Sequence, residues 1–261
     1  MANQYADKFA ELINKSVDEQ TEFFLRSFIF ELGDNWVEIP RLATNFKNYI
    51  KTLGTGGNML NYTQVSDFLQ KEGQARTSYQ RKAELVDIDI DANNVLSITE
   101  IFLLLYKILI LKAYYKRTGE TPKHDLSGNP TEITCIGNEL LDELFTLPIG
   151  LDPELEKAIS DFMQRKKSRE DKIGQLEEAS QAEEGVKSLR AKNELAQLLA
   201  EDTTWINREE LTLNAARKKT AKNSGDEALK AKRQKEEEEL KQKQEASRNK
   251  LKSMASRFEQ N

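Results

Sequence analysis

Apolar and polar positions alternate along this chain with a helical period almost from the start. Ser16 and Glu19 have the spacing of a capping box, in which the Ser hydroxyl accepts from a free backbone N–H and the Glu reaches back to the Ser amide. A helix is predicted to start there and to run through EFFLRSFIFEL to Gly33. Pro40 then falls in the first turn of a second helix, RLATNFKNYIKTL, whose Leu42, Phe46, Tyr49, Ile50 and Leu53 make one apolar face. After a Gly-rich loop from Gly54 to Asn58, helices are predicted near residues 62–71 and 77–88, then an acidic loop and an apolar helix through Tyr115. Residues 118–133 concentrate Gly, Pro, Asp and Ser and read as a loop or boundary. A short helix through NELLDELF ends near Pro148. Asp152, Pro153 and Glu154 then combine an N-cap, a proline in the first helical position and an acid in the first turn. No strand longer than a short bridge is suggested.

From Glu154 to Asn261 there is no proline. Leu155, Ile159, Phe162, Lys166, Arg169, Ile173, Leu176 and Ser180 alternate spacings of four and three, a heptad seam with polar interruptions that needs a partner helix. VKSLRAKNELAQLLA and REELTLNAARKKTAK follow as candidates on either side of a break at Trp205 and Ile206, and a highly charged last helix runs from Asp226 to Phe258. Composition sharpens this division. Residues 1–150 hold 17 of the 20 aromatics and a net charge of −6, enough to build a compact core, whereas 47 of the last 111 residues are charged and call for elongated helix.

The single Cys precludes an internal disulfide, and with one His it leaves no material for a Cys/His zinc site or an imidazole-dependent nucleophile, so the chain reads as no enzyme. Acidic and polar residues interrupt MANQYADKFAEL where a signal peptide needs an apolar stretch. The apolar run Ile101 to Leu111 is too short to span a bilayer and carries Lys107 in its middle, so a cytoplasmic protein without a transmembrane segment is expected.

One segment carries specific chemistry. Residues 89–100 fit the twelve-residue EF-hand calcium loop: Asp89, Asp91 and Asn93 would supply side-chain oxygens, Val95 its carbonyl, Ser97 a contact through water, and Glu100 both carboxylate oxygens. A register starting at Asp87 fails, because it puts Asn94 where the loop needs an apolar residue and Ile98 where it needs the bidentate acid. The sixth position, usually Gly because the chain turns there with positive φ, is Asn94, the next most tolerant type. Ser97 and Glu100 also form a capping box for the exiting helix. Leu85, Ile88, Ile101, Leu104 and Leu105 supply apolar faces on both sides.

EF-hands usually pair, and one helix–loop–helix length upstream Leu60 takes the place of Leu96. The corresponding loop, Leu53 to Gln64, offers no carboxylate at any ligand position and reads as a degenerate hand that pairs through a short backbone bridge. Gly54, Gly56 and Gly57 do not make a phosphate loop, since they follow a helix and lack the Lys-Ser/Thr step. The expected fold is therefore all-α, an EF-hand pair with one calcium-competent loop followed by an elongated helical bundle or coiled coil.

AELVDIDIDANNVLSITEIFLLLYK, preceded by the degenerate loop and by EFFLRSFIFEL, resembles the EF-hand part of the small calcium-regulated actin-bundling proteins of amoeboid cells. The similarity resumes from Gly185 to Leu199 and continues through LTLNAARKKTAK, while EEEELKQKQEASRNKLKSMASRFE is more similar to the helical tail of the swiprosin-type EF-hand actin-binding proteins. The resemblance implies a sensor in residues 1–117, a connection in 118–150, and an actin-binding helical region in 151–261 with its filament contact between Gly185 and Lys222. It also implies F-actin as partner, Ca2+ as the bound ion, an actin-cytoskeleton location, and bundling that calcium reduces. Arg217, Lys218, Lys219 and Lys222 form a basic cluster suited to the acidic surface of a filament, and Lys187, Arg190, Lys192 and Trp205 join them as candidate contacts. Cross-linking needs two sites per chain or a homodimer, which the heptad seam could supply. The alternative is a calcium-binding adaptor or buffer whose charged tail binds membranes or other coiled coils. Nucleic acid is disfavoured as a partner, because the tail's charge is nearly balanced.

Overall fold

A computed structural model describes residues 5–54, 57–127, 130–146, 152–181, 185–200 and 207–220. Among these residues the regular structure is helical apart from one short ladder. The helices are α1 (Ala6–Ile13), α2 (Val17–Leu32), α3 (Glu38–Leu53), α4 (Tyr62–Lys71), α5 (Ser78–Ile88), α6 (Ile98–Thr118), α7 (Gly137–Thr146), α8 (Pro153–Gln181) and α9 (Val186–Ala200). Residues 207–220 are also helical. Strands β1 (Met59–Asn61) and β2 (Val95–Ser97) pair antiparallel, with Leu60 opposite Leu96.

Local chemistry starts these helices where they start. Ser16 with Glu19, Asn61 with Gln64, Thr77 with Gln80 and Ser97 with Glu100 all form reciprocal capping boxes, which satisfy donors that the first turn would otherwise leave open. Gly54 and Gly119 end α3 and α6 in the left-handed conformation that favours glycine. In α2 the run is kinked at Phe28, next to Ser27, whose hydroxyl lies 2.9 Å from the Phe23 carbonyl and 3.0 Å from that of Leu144. A side-chain hydroxyl competing for helical carbonyls is a known cause of such bends.

α2 is the centre of the fold. It packs on α3, α6, α7 and α8, and Phe24, Leu25, Phe28 and Ile29 are fully buried. Gln20, also fully buried, donates to the Ile13 and Lys15 carbonyls and accepts from the Thr99 hydroxyl at 2.9 Å, so it ties the α1–α2 turn to the first turn of α6. The pattern along residues 6–13 carries no start signal, and α1 is held instead by burying Phe9, Leu12 and Ile13.

The start of α8 belongs to this same core: Leu155, Ile159, Phe162 and Met163 are buried, with Phe162 edge-on to Trp36 at 5.3 Å. Beyond Met163 the seam changes character. Lys166 enters a charged cluster with Glu170, Thr44, Lys47 and Asp18, and Arg169 donates to the Leu198 carbonyl at 2.5 Å. α9 folds back along α8, fastened by that bond, by Ser188 donating to the Ser180 carbonyl at 2.9 Å and by the Lys172–Glu194 pair at 3.1 Å. The seam thus divides: its apolar start, Leu155, Ile159 and Phe162, packs on the core, and the later part of α8 has α9 as its neighbour.

Arg117, at the end of α6, bonds Asp142 at 2.5 Å and Glu143 at 2.8 Å on α7. Burial pushes the Glu143 carboxyl up to about 7; Arg117 pulls it down, and Glu31 and Asp142 push it further up. Folding therefore raises this group above its unfolded value. Its contribution is complete below about pH 4.5 and is lost as the pH climbs through 7. Between pH 6 and 8 the loss amounts to about 1 kcal/mol. Thermal melts of the wild type and Glu143→Gln should diverge over that window, the variant gaining relative stability as the pH rises. Parallel curves would mean that the carboxyl does not titrate there.

Candidate functional site

The acidic loop joins the C-terminus of α5 to the N-terminus of α6. Asp89 caps α5 and is nearly buried, Asp91 is exposed and Glu100 is fully buried. One carboxylate oxygen from each of the three lies within 4.8 Å of the others, the only such His/Cys/Asp/Glu cluster among the described residues. The backbone shapes the site. Asn94 takes φ 64°, the left-handed value expected at the sixth loop position, and Ala92 takes φ 55°, which costs more for a residue without a side chain that can bond locally.

These turns aim backbone N–H groups inward. Asn93 N–H donates to Asp89 Oδ1 at 3.1 Å, and Asn94 N–H donates to Asp89 Oδ2 at 2.9 Å. The Asn93 side chain donates to Asp91 at 2.6 Å and accepts from Val95 N–H at 2.8 Å, while Val95 itself is held in β2. Ser97 is committed to capping α6: its backbone N–H and hydroxyl donate to Glu100 Oε2 at 2.8 and 2.9 Å. Ile90 N–H donates to the other Glu100 oxygen at 3.3 Å. Burial nevertheless drives the Glu100 carboxyl up to about 8, with the Ser97 donors pulling down and Asp91 pushing further up. Asp91, although exposed as a residue, is raised as well, by partial desolvation of its carboxyl where it faces the loop and by its contact with Asp89.

A carboxyl with so high a pKa, placed beside two others, marks a spot where negative charge lacks a counter-charge. All the donors are oxygens. Asp89, Asp91 and Glu100 are the residues that could hold a hard divalent cation here, whereas Asn93, Val95 and Ser97 are engaged in hydrogen bonds that shape the loop.

One contact at the loop comes from outside it and leaves no mark in the sequence. The Tyr62 hydroxyl, on the first turn of α4, donates to Asp89 Oδ2 at 2.6 Å. The segment that carries it, around β1, brings no carboxylate to the site. It is joined to the loop by the pairing of Asn61 with Val95.

The basic candidates do not form one surface. Lys187, Arg190 and Lys192 are exposed on α9, together with the apolar Val186 and Leu189. Lys218 is exposed, and Lys219 pairs with Glu154 at 2.6 Å. Arg217, expected within an exposed basic cluster, is buried instead: its guanidinium bonds Asp34 beside the positive-φ Gly33. The cause is the docking of residues 207–220, where Leu213 enters the core, Asn214 accepts from the Trp36 indole at 2.9 Å and Glu209 receives two bonds from Arg165 at 2.9 Å. Trp205 and Lys222 lie outside the described residues.

Among the described residues no helix is long and apolar enough to cross a membrane. The architecture of the described residues is that of a helical protein in which α6 of an acidic helix–loop–helix packs on α2, and α2 in turn packs on the long helix α8. Residues 109–249 match the family model described as F actin bundling C terminal, which spans more than half of the chain, so the chain belongs to this actin-bundling family. Among solved structures the chain is similar to the crystal structure of a 34 kDa F-actin bundling protein from Dictyostelium discoideum, at 18% identity and a TM-score of 0.44, covering 93% of this chain and 98% of that one. Comparison with curated proteins gives no significant match.

Proposed function

We propose that this protein binds and cross-links actin filaments, and that calcium held by the loop at residues 89–100 weakens the cross-links. The family match over residues 109–249 carries the actin-bundling part. The convergence of Asp89, Asp91 and Glu100 supports the calcium part. Residues 1–117 act as the sensor, an EF-hand pair in which only the second loop has ligands; 118–150 connect, and 151–261 form the effector arm.

The ion supplies the counter-charge that the three carboxylates lack. Glu100 is both the last ligand and the third residue of α6, so turning its two oxygens into the loop pulls on the start of that helix. Thr99, its neighbour, is bonded to Gln20 of α2, and α2 packs directly on α8. A shift of α6 thereby reaches the arm through contacts that already exist. On α9, Lys187, Arg190 and Lys192 surround exposed apolar side chains and form the surface that we assign to the acidic filament.

Cosedimentation with F-actin at high and low speed, with calcium or with chelator, separates binding from bundling. The protein should pellet with filaments at high speed in both conditions and should lose low-speed pelleting in calcium. Absence of pelleting at any calcium level would overturn the assignment in favour of a calcium-binding adaptor. Sizing the protein alone tells whether two filament contacts come from one chain or from a homodimer.

A further inference from the structure

We propose that Tyr62 is a positioning residue of the cation site, so that the segment lacking carboxylates still sets how tightly the neighbouring loop holds its ion. This rests on the calcium reading of residues 89–100.

The two oxygens of Asp89 are not equivalent. Oδ2 accepts two hydrogen bonds, from the Tyr62 hydroxyl at 2.6 Å and from Asn94 N–H at 2.9 Å, whereas Oδ1 accepts one, from Asn93 N–H at 3.1 Å. The two bonds on Oδ2 fix the rotation of the carboxylate and leave Oδ1 with the freer lone pair for a cation. Asn94 can do its part only because its φ of 64° turns its N–H inward.

Tyr62 is itself well anchored. Its half-buried ring packs on the core, it follows the Asn61 cap of α4, and Asn61 pairs with Val95, so phenol and loop are held to one another by the ladder. Groups that orient a metal ligand by hydrogen bonding commonly change affinity by 10–100-fold when removed, because the ligand must then be ordered at the moment of binding.

The test is Tyr62→Phe, which keeps the ring in place and deletes only the hydroxyl. Tyr49→Phe is the control: it removes a similar phenol–carboxylate bond, Tyr49 to Asp67 at 2.7 Å, away from the loop. Calcium affinity measured by calorimetry, with release followed by stopped-flow mixing against a chelator, should show Tyr62→Phe roughly tenfold weaker, mostly through faster release. Tyr49→Phe should match the wild type. A merely structural role would shift the melting temperatures of both variants alike and leave their release rates equal. Calcium binding by Tyr62→Phe within twofold of a wild type that binds would overturn the positioning role alone. A wild type that does not bind calcium would overturn both this inference and the calcium reading beneath it.

Discussion

Glu100→Gln is expected to weaken calcium binding by on the order of 100-fold or more while leaving the fold intact. The substitution preserves shape, and the single amide oxygen can go on accepting from Ser97 at the α6 cap, while the new NH2 group faces Ile90 N–H and gives up that longer, 3.3 Å bond. It removes the charge that the last loop position contributes, and with it the paired oxygens that close the coordination shell. A factor of 100 corresponds to about 2.7 kcal/mol, within what a buried carboxylate facing a divalent ion can supply. The fold should not suffer, because Glu100 is fully buried and its carboxyl already sits at about 8 without a counter-charge. A neutral amide there costs no more than the carboxyl it replaces, so chelator-treated wild type and variant should melt together or the variant slightly higher. In cosedimentation the variant should bundle filaments in calcium as the wild type does in chelator. If the variant still responds normally to calcium, the switch does not run through this loop.

What the chain reveals about itself divides by range. Helix starts at Ser16, Ser97 and Asp152 are legible because a cap is a contact between residues two or three apart. Asn94 is legible for the same reason, since a left-handed turn is decided by the residue that makes it. Leu60 and Leu96, which lie opposite each other in the ladder, can be paired once the acidic loop is read as one of a pair and a helix–loop–helix length is counted upstream. The contacts that escape are those in which a side chain chooses a distant partner. Nothing near Arg217 indicates that Asp34, 183 residues earlier, will receive it, and a basic run reads as a surface until Leu213 is known to be buried. Tyr62 looks like any helix-start aromatic until β1 and β2 bring it to Asp89. Lys166 and Arg169 read as interruptions of an apolar seam, yet they are the positions where α8 leaves the core and meets α3 and α9 through polar contacts.

That exit point carries the second large effect. Glu170→Ala is expected to cost about 2 kcal/mol of stability, between the loss of an exposed ion pair and that of a fully buried one, because the charge cluster is part-buried. Burial pushes the Glu170 carboxyl up, but Lys166 and Lys47 outweigh it and hold the group below its ordinary value, so the folded state favours the charged form. Lys166 is pushed down by its own burial and has Glu170 at 2.5 Å and the Thr44 hydroxyl at 2.6 Å as its bonded partners on this face; Lys47 keeps Asp18 at 2.6 Å. Without Glu170 the Lys166 ammonium, itself mostly covered, is left bonded only to a neutral hydroxyl on this face, and stays charged at a penalty. Glu170→Leu combined with Lys166→Met removes both charges and keeps the volume, and should recover most of the loss. Urea unfolding of the single and double variants measures both steps. A single-variant cost below about 0.5 kcal/mol would mean that the cluster is screened as surface ion pairs are, and that the buried Leu155, Ile159, Phe162 and Met163, with the bonds from Arg26 to Glu156 and Ser160, hold the arm to the core. The larger figure would make this cluster the polar half of the joint between the loop-bearing helices and the arm. A displacement of α2 would then have to pass through a set of charges that tolerates rearrangement far better than it tolerates the loss of one member.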